Sequence, residues 1–133
     1  MRYLLDTNVW VDYLNQRYPS VTARIRSTDP EELCLSTVVL AELRYGADKS
    51  QRPARNHERI DILVQEVPCV DFDNPAAAAF GRLRAALEAA GNPIGPYDTM
   101  IAAQALSRGL VLVTDNFAEF GRVGGLPIEN WRE

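Results

Sequence analysis

Histidine, cysteine and long apolar runs are scarce in this sequence, and each scarcity removes a class of function. The single histidine, His57, sits in the polar stretch Arg55-Asn56-His57-Glu58-Arg59. Ser-His-Asp and Cys-His chemistries need an imidazole held between a nucleophile and an acid. Neither is expected here, and His57 reads as a solvated surface residue. The two cysteines stand in the apolar runs Leu33-Cys34-Leu35 and Pro68-Cys69-Val70. Both read as buried small hydrophobes rather than a disulfide, and a lone pair without a neighbouring His or Cys makes no zinc site. No segment approaches the ~18–20 uninterrupted apolar residues that span a bilayer. The N-terminal Met-Arg-Tyr-Leu-Leu-Asp reaches an acid too early for a signal peptide, so a cytoplasmic protein with no membrane role is expected. No G-x-G-x-x-G or G-x-x-x-x-G-K loop occurs, which removes the simplest nucleotide-binding modules.

What remains is an ordinary soluble composition. The 133 residues, 47% hydrophobic and 24% charged, suit one domain spanning 1–133. The formal charge of −4 is not the basic footprint of a nucleic-acid binder. Two features soften that objection. Acids gathered at one site are offset locally by bound divalent cations. Basic residues also cluster at Arg44, Lys49, Arg52, Arg55 and Arg59, either as contacts for a phosphate backbone or as a solvated helix face.

Strand and helix signals alternate along the chain. Tyr3-Leu4-Leu5, Leu33-Cys34-Leu35, Val67 to Phe72 and Leu110 to Val113 are short apolar runs closed by polar turns. They lack polar alternation, as strands of a parallel sheet covered on both faces should. Between them, Val38 to Asp48 carries a helical apolar stripe. Asn74-Pro75 opens a second helix, with Asn74 as N-cap and Gly91 as its stop. Pro96 opens a third, running to Gly109. The predicted architecture is an α/β domain, a central parallel β-sheet flanked by helices on both faces.

The acids fall where such a fold places its ligands. Asp6 follows the first strand and Asp115 the strand at Leu110 to Val113, so both lie at the carboxyl edge of the sheet. Glu42 is in the second turn of the helix after Ser36-Thr37, and Asp98 in the first turn of the helix opened by Pro96; both helices begin at that same edge. Asp98 would be favourable there through the helix dipole alone, and Asp6 and Asp115 also suit turns. Glu42 is harder to explain that way, because its neighbours are apolar and a bare carboxylate loses hydration among them. Clustered carboxylates repel unless protonated or bridged by a cation, and an all-oxygen donor set suits Mg²⁺ or Mn²⁺. The pattern points to metal-assisted phosphodiester hydrolysis. Thr7, Asn8 and Thr114 stand close enough in sequence to orient carboxylates by hydrogen bonding. A phosphatase with an aspartate nucleophile would want a second acid two residues after Asp6, where Asn8 stands.

These residues are also familiar as a set. Leu4-Leu5-Asp6-Thr7-Asn8-Val9 and Ser36-Thr37-Val38-Val39-Leu40-Ala41-Glu42-Leu43-Arg44-Tyr45-Gly46 resemble the first two motifs of VapC toxins, the PIN-domain partners of VapB antitoxins. Pro96-Tyr97-Asp98-Thr99-Met100-Ile101-Ala102-Ala103-Gln104-Ala105 is similar to the third, and Leu112-Val113-Thr114-Asp115-Asn116-Phe117-Ala118-Glu119-Phe120 to the fourth. The ending Gly125-Leu126-Pro127-Ile128-Glu129-Asn130-Trp131 resembles the terminal segment of one VapC subgroup. The resemblance implies a PIN-like fold and a Mg²⁺- or Mn²⁺-dependent endoribonuclease toxin, dimeric and inhibited by its antitoxin. It implies Asp6, Glu42 and Asp98 as metal-binding acids, with the fourth position falling to Asp115 or to Asn116. It further implies a structured RNA substrate, a tRNA anticodon loop and in this subgroup that of initiator tRNA. A protein that docks an antitoxin and a second copy of itself needs apolar surface. Trp10, Tyr13, Leu14 and Tyr18, at nearly helical spacing, form either such a patch or part of the core.

Overall fold

The computed structural model describes every residue, Met1–Glu133. Tyr3–Leu5 forms β1 and is buried at all three positions. Successive strand residues point to opposite faces, so a fully buried run means that both faces of the sheet are covered. Leu33–Ser36 forms β2, Cys69–Val70 β3, Val111–Val113 β4 and Ile128–Glu129 β5. The intervening helices are α1 (Thr7–Asn15), α2 (Pro19–Ser27), α3 (Thr37–Lys49), α4 (Pro53–Glu66), α5 (Asn74–Ala89), α6 (Pro96–Arg108) and the single-turn α7 (Phe117–Phe120).

All pairings are parallel, in the order β3-β2-β1-β4-β5. The chain lays β2 and β3 on one side of β1, then crosses back to place β4 and β5 on the other. That reversal leaves a crevice at the carboxyl ends of β1 and β4, the usual ligand position in open parallel sheets. The predicted α/β architecture is the observed one.

Local chemistry sets the helix starts. Ser36 closes β2 and caps α3, its Oγ accepting the Val38 N–H at 3.0 Å. The same hydroxyl donates to Oε1 of Gln104 on α6. The Gln104 amide donates in turn to the Val70 carbonyl at 3.2 Å, so this buried side chain is satisfied at both ends. Gly109 ends α6 in the left-handed conformation at φ +65°, which a side chain would strain.

Several expectations need correction. Asp73, not Asn74, caps α5: its Oδ1 accepts the Ala76 N–H at 3.0 Å while Oδ2 pairs with Arg108 at 3.1 Å. Cys34 is buried but Cys69 is exposed, because β3 is a two-residue edge strand with one side open. His57 is not a free surface residue. It is half-buried where α4 packs on α3, with Nδ1 3.0 Å from Arg44 Nη1 and Nε2 2.7 Å from Asp48 Oδ1. The aromatic stripe divides: Trp10 is in the core, Tyr13 and Leu14 are half-buried, and Tyr18 is exposed.

Candidate active site

Asp6 ends β1 and caps α1, its Oδ1 accepting the Thr7 backbone N–H at 2.8 Å. The register pairs Leu5 with Val113, so the residues just beyond, Asp6 and Thr114, stand side by side. The Thr114 hydroxyl donates to Asp6 Oδ2 at 2.9 Å. Asp6 is only 6% exposed, and burial raises its carboxyl pKa. The hydrogen bonds from Thr114 and Thr7 oppose that rise, while the charges of Glu42 and Asp115 add to it.

Glu42 reaches this corner from the second turn of α3. Thr7 Oγ1 donates to its Oε1 at 2.9 Å, across 35 residues of sequence. Asp98 arrives from the first turn of α6. Its carboxyl is pushed up to about 8, first by burial, then by a hydrogen bond with Glu119, then by the negative charges of Asp6, Glu119 and Glu42. Acids from four separate elements therefore act on one another directly. Asp6 and Glu42 lie near enough to Asp98 for their charges to act on its carboxyl.

Glu119 was not foreseen. Asn116 caps α7 by accepting the Glu119 N–H at 3.3 Å, and its amide donates back to Glu119 Oε2 at 3.3 Å. Asn-x-x-Glu is a capping arrangement, and that ordinary reading hides the acid. An acid in the first turn of the helix after β4 was the available signal. Asn116 supports Glu119 and, through its N–H to Thr114 Oγ1 at 3.0 Å, the turn itself.

Asp115 is engaged elsewhere. Its Oδ2 accepts from Arg132 Nη1 at 2.7 Å, and its Oδ1 is buried without a partner. Asn8 is exposed in the first turn of α1. Of the basic cluster, Arg44 is tied to Asp61 at 2.6 Å, Lys49 lies 5.5 Å from the centre of the Tyr45 ring, and Arg52 and Arg55 are exposed at the start of α4. A groove of about 240 Å³ leads away from Glu42 between α1, α3 and α4, lined by Val11, Leu14, Leu43, Ala47 and Ile60 among others.

The donor set is entirely carboxylate and hydroxyl, the chemistry that suits a hard divalent cation. The raised carboxyls of Asp6 and Asp98 mark a place that a cation would relieve. No three His, Cys, Asp or Glu side chains are closed into a ready cage. A closed cage is not required, because Mg²⁺ keeps several waters and takes only one or two carboxylates.

The PIN-domain family profile matches residues 3–126. The chain belongs to the PIN-domain family. Within it, the curated relatives are VapC ribonucleases. The chain is 44% identical over 131 residues to the tRNA(fMet)-specific endonuclease VapC of Shigella flexneri, covering 98% of each chain. It is 38% identical, with the same coverage, to ribonuclease VapC2 of Haemophilus influenzae. The crystal structure of DNA-bound VapBC from Salmonella typhimurium superposes with a TM-score of 0.92 at 39% identity, covering 98% of each chain. VapBC-1 from nontypeable Haemophilus influenzae gives 0.88 at 31% identity over 100% of each chain. This PIN domain is thus of the VapC ribonuclease kind. None of its helices is long and apolar enough to cross a membrane.

Proposed function

We propose that the chain is the toxin of a type II toxin–antitoxin pair, an endoribonuclease dependent on Mg²⁺ or Mn²⁺ that cuts the anticodon loop of initiator tRNA. The observation that carries the reading is the hydrogen-bonded corner at the switch point of the sheet, where Thr114 and Thr7 hold Asp6 and Thr7 holds Glu42, with Asp98 near enough to feel both charges. One or two of Asp6, Glu42, Asp98 and Glu119 would hold the cation directly and the others through its waters, with Asp115 as a flanking acid. Such an ion supplies a more acidic water and charge stabilisation for phosphoryl transfer.

The protein's own groups do the positioning. The Thr7 hydroxyl fixes Glu42, and the Thr114 hydroxyl with the Thr7 N–H fixes both oxygens of Asp6. Asp98, its carboxyl raised beside Glu119, would hold or release a proton beside the reacting phosphate. Tyr97 is 60% and Phe117 49% exposed. They neighbour Asp98 and Glu119 in sequence and offer ring faces for unpaired bases, which favours a single-stranded loop over a duplex. The tRNA assignment is supported by the Shigella and Salmonella relatives, both tRNA(fMet)-specific endonucleases.

The partner is a VapB-type antitoxin, and a second copy of the chain completes a homodimer. The groove of about 240 Å³ beside Glu42, lined in part by Val11, Leu14, Leu43 and Ile60, is where an apolar antitoxin side chain would dock next to the acids. The test is incubation of the purified chain with initiator tRNA and Mg²⁺, with EDTA and Asp6→Ala as controls. Internal cleavage lost in both controls is expected. Cleavage that survives either one overturns the metal-site reading, and cleavage of unrelated RNAs at equal rate overturns the tRNA assignment.

A further inference from the structure

The end of this chain is anchored. Trp131 is 3% exposed, packs edge-on to Tyr3 at 5.1 Å, and donates its indole N–H to Glu129 Oε1 at 3.0 Å. The Arg24 guanidinium covers the same indole at 4.7 Å. The Arg132 N–H is accepted by Asn130 Oδ1 at 3.0 Å. Arg132 thus starts from a fixed backbone.

Its side chain joins two carboxylates from distant segments. Nε and Nη2 donate to Asp12 on α1 at 2.7 and 3.1 Å, and Nη1 donates to Asp115 at 2.7 Å. The guanidinium carbon lies 4.4 Å from the centre of the Tyr18 ring. Asp12 is 2% exposed, so its carboxylate depends on this pairing. A planar fork can serve two acids at fixed angles, which the point charge of a lysine cannot.

The consequence appears at Asp115. One of its oxygens is committed to Arg132, and the other is buried with no partner. Buried carboxylate oxygens are rarely left so. Asp115 is also close enough to Asp6 for its charge to act there. We propose that Arg132 is a positioning residue, pinning Asp115 by one oxygen and so fixing where its negative charge stands beside Asp6 at the edge of the acid cluster. Arg132 lies outside the span 3–126 that the family profile matches. The inference rests on the nuclease reading above.

Arg132→Ala alone strands the buried Asp12 charge and risks unfolding. The informative variant is therefore Arg132→Ala with Asp12→Asn, which frees Asp115 and leaves no unpaired carboxylate at Asp12. Against initiator tRNA, kcat should fall by about 10–100-fold, the usual effect of losing a group that orients a catalytic ligand. KM should change little, and Arg132→Lys should recover only part of the loss. In an Asp115→Asn background the same pair of substitutions should cost nothing further. A crystal structure of the double variant should show Asp115 in a different rotamer. Unchanged kcat, an equal loss in the Asp115→Asn background, or an unmoved Asp115 carboxylate overturns the proposal. If the wild-type chain proves inactive on RNA, the nuclease reading fails, and the Asp115 rotamer still decides whether Arg132 positions it.

Discussion

The Thr114 hydroxyl donates to Asp6 Oδ2 at 2.9 Å, joining the end of β4 to the end of β1 across 108 residues. Both groups are buried. This bond fixes the carboxylate at the centre of the acid cluster and holds its charge against the cost of burial. Thr114→Val keeps the shape and removes the donor. An unsatisfied buried acceptor costs about 1–3 kcal/mol, so the melting temperature should fall. Cleavage should drop by roughly 10–100-fold. A variant with wild-type melting and turnover would show that the hydroxyl does not matter.

Asp98 is the most perturbed acid in the site. Replacing it with Asn removes a negative charge from a crowded cluster without changing its size. In the presence of EDTA at pH 8.5, Asp98→Asn should melt at a higher temperature than the parent, in the range of roughly 0.5–2 kcal/mol typical of relieved functional strain. Its tRNA cleavage should fall by about 100-fold or more. Stability and activity move in opposite directions only if the acids serve a function rather than the fold.

The same residue sets a pH dependence. Between its ordinary value of 3.8 and about 8, Asp98 holds a proton in the folded chain that the unfolded chain has released. Stability of the metal-free protein should therefore decline as pH rises through that window. Asp98→Asn should remove much of the decline. On the proposed metal site, Mg²⁺ would displace the proton, so calorimetric titrations near pH 7 in buffers of different ionisation enthalpy should report proton release on binding. Buffer-independent heats would contradict the coupling.

Glu119 and Asp115 are distinguished by their surroundings. Glu119 acts on Asp98, whereas Asp115 shares Arg132 with Asp12. Glu119→Gln should lower Mn²⁺ affinity measured by calorimetry by about 10–100-fold, and Asp115→Asn should lower it less. The reverse order would make Asp115 the fourth metal-binding acid.

The exposed arginines at the start of α4 are the remaining free part of the basic cluster. For single-stranded RNA each phosphate contact contributes about −0.7 to the slope of log affinity against log salt. Arg52→Gln with Arg55→Gln should flatten that slope by up to about 1.4. An unchanged slope assigns these side chains to ordinary surface.

Much of this protein was written in local sequence. Unbroken apolar runs such as Tyr3-Leu4-Leu5 imply a strand buried on both faces, and Pro96 and Gly109 mark the ends of α6 through backbone constraints that act within a few residues. With strands and helices alternating, the carboxyl edge of the sheet follows, and Asp6, Glu42 and Asp98 follow from it. What the chain folds against was not local. His57 looked solvated until α4 packed on α3, and Cys69 looked buried until β3 proved to be an edge. Glu119 carried no signal of its own in the sequence until α7 brought it to Asp98. Asp115 has a partner that its sequence neighbours do not reveal, the guanidinium of Arg132 returning from the end of the chain. Hydrogen-bond and charge partners are chosen by distance in space, and only the tertiary structure sets that distance.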